Sequence, residues 1–563
     1  MRLPVLFLLG VASWAQAPTH AIRLNQAGYL PAAPKVALVA NAAGAAEFTV
    51  RRAQDARPVF RERLGPAVED ADSGDRVQVA DFTPLRTPGR YYLEVEGAGR
   101  SPEFEIGPRV YERVLYLAMR SYYGQRCGTA VDLGKEFPGY RYEACHREGA
   151  WHASSGKSGP APSVKGWHDA GDYGRYVVNS GIATGTLLWA CEFYEERLKT
   201  FRLNIPESSN KTPDFLDEIR WNLEWMLSMQ DADGGVWHKQ TTEKFSGFVM
   251  PHEDRMTSYI IGTGAAPYKS TCATADFAAV MAIAGRLYRP YDPAFAQRAL
   301  SAAEAAWKWA EQNPSVLFSN PKGVSTGAYG DKDCSDERLW AAAELWRTTR
   351  SKPYEEYFLE NREKFRGAIA DDRPPAWPQV AALALWGWAL SEGPQSDEIR
   401  SLVLDAADRL AQRTAASPYR MSLLRKDYIW GSNSVAANYG MQLLVAHRLN
   451  PKPAYYHAAL DDLHYLLGRN ALSISFVTRV GANPVRRPHH RPSGADNNAE
   501  PWPGLLAGGP NARRQDPAMK KLPEGTPPAK MFLDEQESYA TNEVAINWNA
   551  PLVFLLAGAV SGR

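Results

Sequence analysis

Asp336-Glu337-Arg338-Leu339-Trp340-Ala341-Ala342-Ala343-Glu344-Leu345 places apolar side chains three and four residues apart, the repeat of a helix and not of a strand. Outward from it the same period returns in twelve segments, from 109–126 through 272–288, 293–312 and 431–449 to 540–558, with short connections that favour antiparallel neighbours. Residues 109–563 therefore read as an all-α bundle or toroid. Upstream the period changes. The runs 36–39, 47–51, 76–79 and 91–95 are short and β-prone, punctuated by turns such as Pro88-Gly89, which is the spacing of a β-sandwich over 22–107.

Three connections, 127–174, 231–271 and 469–539, are long and rich in Gly and Pro. Loops of that length in a compact domain tend to carry function, so they are expected to wall a cleft at one end of the helical domain. Net charge is +1 with 23% charged residues, which gives no nucleic-acid footprint and points to a neutral substrate. Seventeen Trp and 11% aromatics overall suit pyranose faces as well as cores. Met1-Arg2, the apolar run Leu3 to Val11 and Ala15-x-Ala17 read as an export signal over 1–17, cleaved after Ala17 or Ala15, so a secreted or periplasmic protein is expected. That run is too short to span a bilayer, and no other spanning candidate is present. Five cysteines, Cys127, Cys145, Cys191, Cys272 and Cys334, are few for an exported chain and do not suggest a disulfide framework.

The chemistry-bearing stretch is Gly166-Trp167-His168-Asp169-Ala170-Gly171-Asp172-Tyr173-Gly174-Arg175-Tyr176, two carboxylates separated by small residues and bracketed by aromatics. Asp172 also suits an N-cap for the helix that follows. A second acidic segment lies near the far end, Asp534-Glu535-Gln536-Glu537-Ser538-Tyr539-Ala540-Thr541-Asn542-Glu543. One carboxylate group early and another late is what glycoside hydrolysis requires, an acid for the leaving oxygen and a base or nucleophile across the sugar. The spacing Phe532-x-Asp534-x4-Tyr539-x3-Glu543-x-Ala545-x3-Asn549-Ala550 resembles the C-terminal signature of glycoside hydrolase family 9, the inverting cellulases. Ser475-x-Val477-Thr478-x2-Gly481-x-Asn483-x4-Pro488-His489-x-Arg491 is similar to its other signature, and the three motifs stand in the family's order. Asn25-Gln26-Ala27-Gly28-Tyr29 and Pro88-Gly89-Arg90-Tyr91-Tyr92 resemble the immunoglobulin-like domain of one branch of that family.

The resemblance implies an N-terminal all-β immunoglobulin-like sandwich followed by an all-α (α/α)6 barrel. It implies Glu543 as general acid, Asp172 as general base and Asp169 as its assistant. It implies that His489 and Arg491 bind sugar hydroxyls and that Asp534 and Tyr539 border the site, Asp534 as a partner of the catalytic groups and not a catalyst; His490 is expected to face outward. Trp237, His238, Trp430 and Trp502 lie in or beside the long loops as stacking candidates, with core packing expected for at least half of them. Cys127, Cys145, His146 and His168 are the ligand types of a closed tetrahedral zinc site, though not at zinc-finger spacing; the alternative is a Cys127–Cys145 disulfide. Some members of this branch carry a structural zinc at the corresponding residues. By resemblance, calcium falls to the Gly327 carbonyl, Asp331, Asp336 and Glu337, where a helix start with acidic first turn is the competing reading.

The implied protein is an exported, inverting endo-β-1,4-glucanase acting on cellulose-type glucans, with no organic cofactor, no nucleic-acid or membrane partner, and monomeric. An exo-acting cellodextrinase or a glucosaminidase on the same scaffold is the alternative, and a noncatalytic sugar-binding protein the distant one. About twenty residues follow Glu543 and show no dockerin or cellulose-binding module, so soluble or amorphous glucans are expected.

Overall fold

The computed structural model describes residues 17–370 and 373–562, so the expected export signal lies almost wholly outside the described residues. The N-terminal domain is a sandwich. One sheet orders its strands Ile22–Arg23, Val36–Ala40, Asp75–Asp81, Val68–Asp70; the other orders Pro58–Arg63, Glu47–Arg52, Gly89–Val95, Gly99–Arg100, with Phe104–Ile106 also paired to Gly89–Val95. All four strands expected from sequence are present. Val36–Ala40 is apolar without alternation because both faces are buried. Ala37 and Val39 enter the sandwich core, while Val36 and Leu38 pack into the core of the next domain.

Twelve helices of nine residues or more follow among the described residues, and they form two rings. The inner ring comprises Val177–Phe193, Thr271–Leu287, Ser335–Thr349, Ala381–Ala389, Ser432–Leu449 and Ile546–Ser561. Each inner helix is backed by one outer helix, respectively Asp214–Ser228, Pro293–Gln312, Lys352–Asn361, Ser396–Ala416, Pro453–Leu466 and Glu112–Gly124. The sequence distinguishes the rings. Thr271–Leu287 is buried continuously from Thr271 to Gly285 and is built of Ala, Thr and other small side chains that allow close packing. Pro293–Gln312 buries only one stripe, including Phe295, Ala296, Ala299, Ala303, Ala306, Trp307 and Ala310. A disulfide, Cys272–Cys334, ties the N-terminal ends of two adjacent inner helices, with Cα atoms 4.7 Å apart. It is a single bridge, not a framework. No described helix is long and apolar enough to cross a membrane.

The long connections are not structureless. Parts of 127–174 and 231–271 join Arg175–Tyr176 in one five-stranded sheet, ordered Pro160–Pro162, Glu148–Trp151, Ser258–Ile261, Lys239–Thr241, Arg175–Tyr176. This sheet lies at the open end of the barrel and fixes the strand that leads out of the acidic turn.

The sandwich grips the loops that reach the same end. Gln26 Nε2 donates to Ser473 O at 3.0 Å, and Gln26 Oε1 accepts from Asn483 N at 2.7 Å. Buried Asp75 accepts from Arg23, Asn41, Tyr419 and Lys530, each at 2.7 Å. Asp75→Ala would remove the carboxylate that Arg23 and Lys530 share. Removing one member of such a buried cluster costs roughly 3 kcal/mol, and calorimetric unfolding should show a lowered midpoint.

Candidate active site

The acidic turn is held by backbone contacts, and glycine is what permits them. Asp169 N donates to Gly174 O at 2.9 Å, Ile546 N donates to Asp169 O at 2.9 Å, and Arg491 N donates to Gly171 O at 3.1 Å. A Cβ on Gly171 would lie 2.2 Å from the His489 carbonyl oxygen, so only Gly allows that approach. His489 N donates in turn to Asn542 O at 2.9 Å, beside Glu543. The three sequence motifs are thus zipped main chain to main chain. Glu543 is not in the first turn of a helix: Tyr539–Asn542 ends before it, it is extended at φ −64° and ψ 157°, and the next helix begins at Ile546. The break turns its carboxyl toward the cleft.

Asp169, Asp172 and Glu543 line one cavity of about 630 Å³, together with Phe245, Tyr329, Trp377, Trp430, His489, Arg491 and Tyr539. A second space of about 510 Å³ adjoins it, sharing Ala170, Tyr329, Trp377, Trp430 and Glu543 and continuing past Lys426 and Trp548. Asp169 is buried, its Oδ1 accepting from Asn179 and its Oδ2 from Tyr329, both at 2.7 Å. Burial, then the neighbouring Asp172, push its carboxyl up to about 8. Asp172 Oδ2 accepts from Gly174 N at 3.0 Å and from the Tyr176 hydroxyl at 3.1 Å. Glu543 is pushed up to about 8 by burial first, then by Asp172 and Asp169, with Arg491 and the Gly171 backbone pulling the other way. The cavity therefore offers a carboxyl that keeps its proton near neutral pH and, across the acidic turn, an acceptor.

Several sequence assignments change. Asp534 does not line the cavity: its oxygens accept from Arg486 N at 2.8 Å, Arg487 N at 2.9 Å and Asn542 Nδ2 at 3.1 Å, so it shapes the loop that carries His489. Trp237 is buried on Trp151 and donates to Ser155 O, and Trp502 is buried with its indole on Asp496. His238 stacks on Phe318 and bonds Ala328 O. Of the four candidates only Trp430 reaches the cleft. His490 is not outward-facing but buried between Gln125 and Ser493, because the Pro488–Pro492 segment folds onto the end of helix Glu112–Gly124. Arg491 lines the cavity, yet its guanidinium is engaged with Gly171 O and Ser246 O. Phe245, Tyr329 and Trp377 were not singled out. Trp377 had a readable signal in Pro374-Pro375-Ala376-Trp377-Pro378, a stiff loop holding one large aromatic.

Cys127, Cys145, His146 and His168 bring one ligand atom each within 4.8 Å of one another. Both thiols are free, which removes the disulfide alternative. Cys145 Sγ and His168 Nε2 are 3.7 Å apart. Two ligands on a tetrahedral zinc, one S and one N, should be separated by about 3.6 Å. His146 Nε2 faces Asp254 Oδ2 at 3.4 Å, while the buried Nδ1 atoms of His146 and His168 have no partner. These residues fit zinc, and an outer carboxylate on a ligating imidazole is the usual support.

The residues expected to hold calcium agree only in part: buried Asp331 Oδ2 and both Glu337 oxygens have no hydrogen-bond partner, as a cation site would leave them, while the others are engaged. The Gly327 carbonyl is on the cavity wall and already accepts from the Lys239 ammonium at 2.8 Å. Asp336 Oδ2 takes Val380 N at 2.7 Å, and Asp331 Oδ1 takes the backbone of Lys332 and Asp333. Among the described residues the only other converging group is Cys272, Cys334 and Glu337, where the two sulfurs are bonded to each other. Glu337, and Asp276 facing the same acidic cluster, have buried oxygens without hydrogen-bond partners. Burial, then neighbouring carboxylates, push both well above the usual carboxylate range.

An (α/α)6 barrel whose open end gathers carboxyls from both ends of the chain among aromatic faces has the architecture of a glycoside hydrolase. The chain belongs to glycosyl hydrolase family 9: that family's model matches residues 111–556, and the model of the cellulase N-terminal ig-like domain matches 17–100. Endoglucanase D of Acetivibrio thermocellus is 38% identical over 96% of this chain and 83% of its own. A metagenome-derived glycoside hydrolase family 9 endoglucanase has a similar structure, with a TM-score of 0.88 and 38% identity over 96% of this chain and 99% of that one. A Zn-binding triple mutant of the family 9 endoglucanase J30 matches with a TM-score of 0.87 and 34% identity over 95% of this chain and 100% of that one.

Proposed function

We propose that the protein is an exported endo-β-1,4-glucanase that cleaves cellulose-type glucans with inversion. Glu543 protonates the leaving glycosidic oxygen, Asp172 takes a proton from the water that attacks the anomeric carbon, and Asp169 orients that water. The observation that carries this reading is the shared cavity: a desolvated Glu543 and the Asp169/Asp172 pair face the same aromatic-lined space. Tyr329, Trp377, Trp430 and Tyr539 supply faces for the apolar sides of the sugars. The adjoining space beyond Trp377 and Trp430 favours internal cleavage over an exo mode, because chain can lie on both sides of Glu543. Zinc held by Cys127, Cys145, His146 and His168 is structural in this reading. Four protein ligands leave no position for a reacting water.

Proton NMR on defined β-1,4-gluco-oligosaccharides checks the mode and the stereochemistry together. The expected first product is the α-anomer, with cleavage at internal bonds of the longer oligomers; a β-anomer product would reject the roles given to Asp172 and Glu543.

A further inference from the structure

Lys239 is fully buried, on the strand Lys239–Thr241 that pairs with Arg175–Tyr176, and it lies directly across from Tyr176. Its ammonium donates to Asn320 Oδ1 at 2.7 Å, to Gly327 O at 2.8 Å and to Thr326 Oγ1 at 3.1 Å. Among the described residues no carboxylate pairs with it directly. Burying an ammonium against neutral acceptors alone is costly, so its countercharge must be sought further off. Burial lowers it to about 7, and the charge that draws it back up is Asp172. Tyr176, whose ring centroid is 5.6 Å from the ammonium, donates its hydroxyl to Asp172.

The neighbouring contacts point the same way. His238 Nε2 bonds Ala328 O at 2.8 Å, so the residue just before the strand and the strand's first residue, Lys239, grip the carbonyls of Ala328 and Gly327. The next residue is Tyr329, whose hydroxyl donates to Asp169. We propose that Lys239 is a positioning residue for the proton-accepting side of the site: its buried side chain holds the Thr326–Tyr329 turn, and with it the Tyr329 hydroxyl on Asp169. Lys239 itself does not reach the sugar. The assignment rests on reading Asp172 as the base.

The test compares wild type, Lys239→Met, Tyr329→Phe and the double variant on cellotetraose, together with thermal unfolding. Lys239→Met should lower kcat at least about tenfold while KM stays within about twofold, since general-base positioning acts on the chemical step. Adding Tyr329→Phe should cost little more, because that hydroxyl has already lost its place. Wild-type kcat in Lys239→Met, a change confined to KM, or full additivity with Tyr329→Phe would each overturn the proposal. Should Lys239→Met fail to fold, Lys239→Leu, which likewise removes the donor to the turn, is read by the same criteria. A wild-type enzyme inert on cellotetraose and longer oligomers would instead overturn the functional reading.

Discussion

Glu543→Gln is expected to lower kcat on natural β-1,4-glucans by roughly 10²–10⁴-fold, the contribution of a positioned general acid. The substitution is close to isosteric. It is also close to electrostatically silent in the free protein at neutral pH, because burial, then Asp172 and Asp169, push the Glu543 carboxyl up to about 8 and leave it uncharged there. Folding and substrate affinity should therefore survive. The discriminating substrate is a dinitrophenyl β-cellobioside, whose leaving group departs without a proton. The variant should keep most of its activity on that substrate and lose it on cello-oligosaccharides; equal loss on both would mean that Glu543 does something other than protonate the leaving oxygen. The same pKa direction sets the alkaline limb. An acid with a raised pKa is competent below that value and loses its proton as pH rises through it, so wild-type kcat/KM should fall as pH passes about 8. Asp169, pushed to about 8 beside Asp172, titrates in the same range, so the limb belongs to the group and not to one residue.

What could be read in advance follows from how each feature is encoded. Helical period is local, and Thr271–Leu287 and Pro293–Gln312 announce themselves within a few turns. Closure of the helices into two rings is not local; it came from the family resemblance, although the contrast between continuous and one-sided burial was present in the residues. The residues that the motif order singles out, Asp169, Asp172 and Glu543, line one cavity. Asp534, expected to border the site, supports it from behind, its oxygens turned onto Arg486, Arg487 and Asn542. Trp237, a stacking candidate because it lies in a long loop, packs in the core instead. The sheet at the barrel mouth was missed for a different reason. Glu148–Trp151 and Pro160–Pro162 contain Gly or Pro and are too short to alternate, and Glu148–Trp151 finds its parallel partner in Ser258–Ile261, about a hundred residues away. The Cys272–Cys334 bridge was equally invisible, since five cysteines allow many pairings and only the meeting of two helix ends selects one.

Cys145→Ser should reduce bound zinc from about one per chain to a small fraction of that, measured by mass spectrometry of metals in the intact protein, since a mononuclear site with one thiolate lost no longer closes its tetrahedron. The consequence should reach the active site through the chain. Cys127 follows helix Glu112–Gly124, with its N–H on Gly166 O at 2.8 Å, and His168 hangs from Gln125 O by its own N–H at 2.7 Å. His168 precedes Asp169 directly, so a zinc held there would fasten the loop carrying Cys145 and His146 to the start of the acidic turn. Two thiolates would also neutralise the dication, which would allow four buried ligands to share so small a space. Without zinc the thermal midpoint should fall, and kcat should fall more than KM rises, because the misplaced group is the base and not the sugar-stacking aromatics. Asp254→Ala is the milder companion. Its carboxylate supports His146 from outside the ligand set, and loss of such a support weakens metal affinity by about 10–100-fold while leaving all four ligands in place. Zinc content unchanged in Cys145→Ser would remove the site. A metal-free wild-type protein with the same unfolding midpoint and kcat as the zinc-loaded one would show that the turn stands without it.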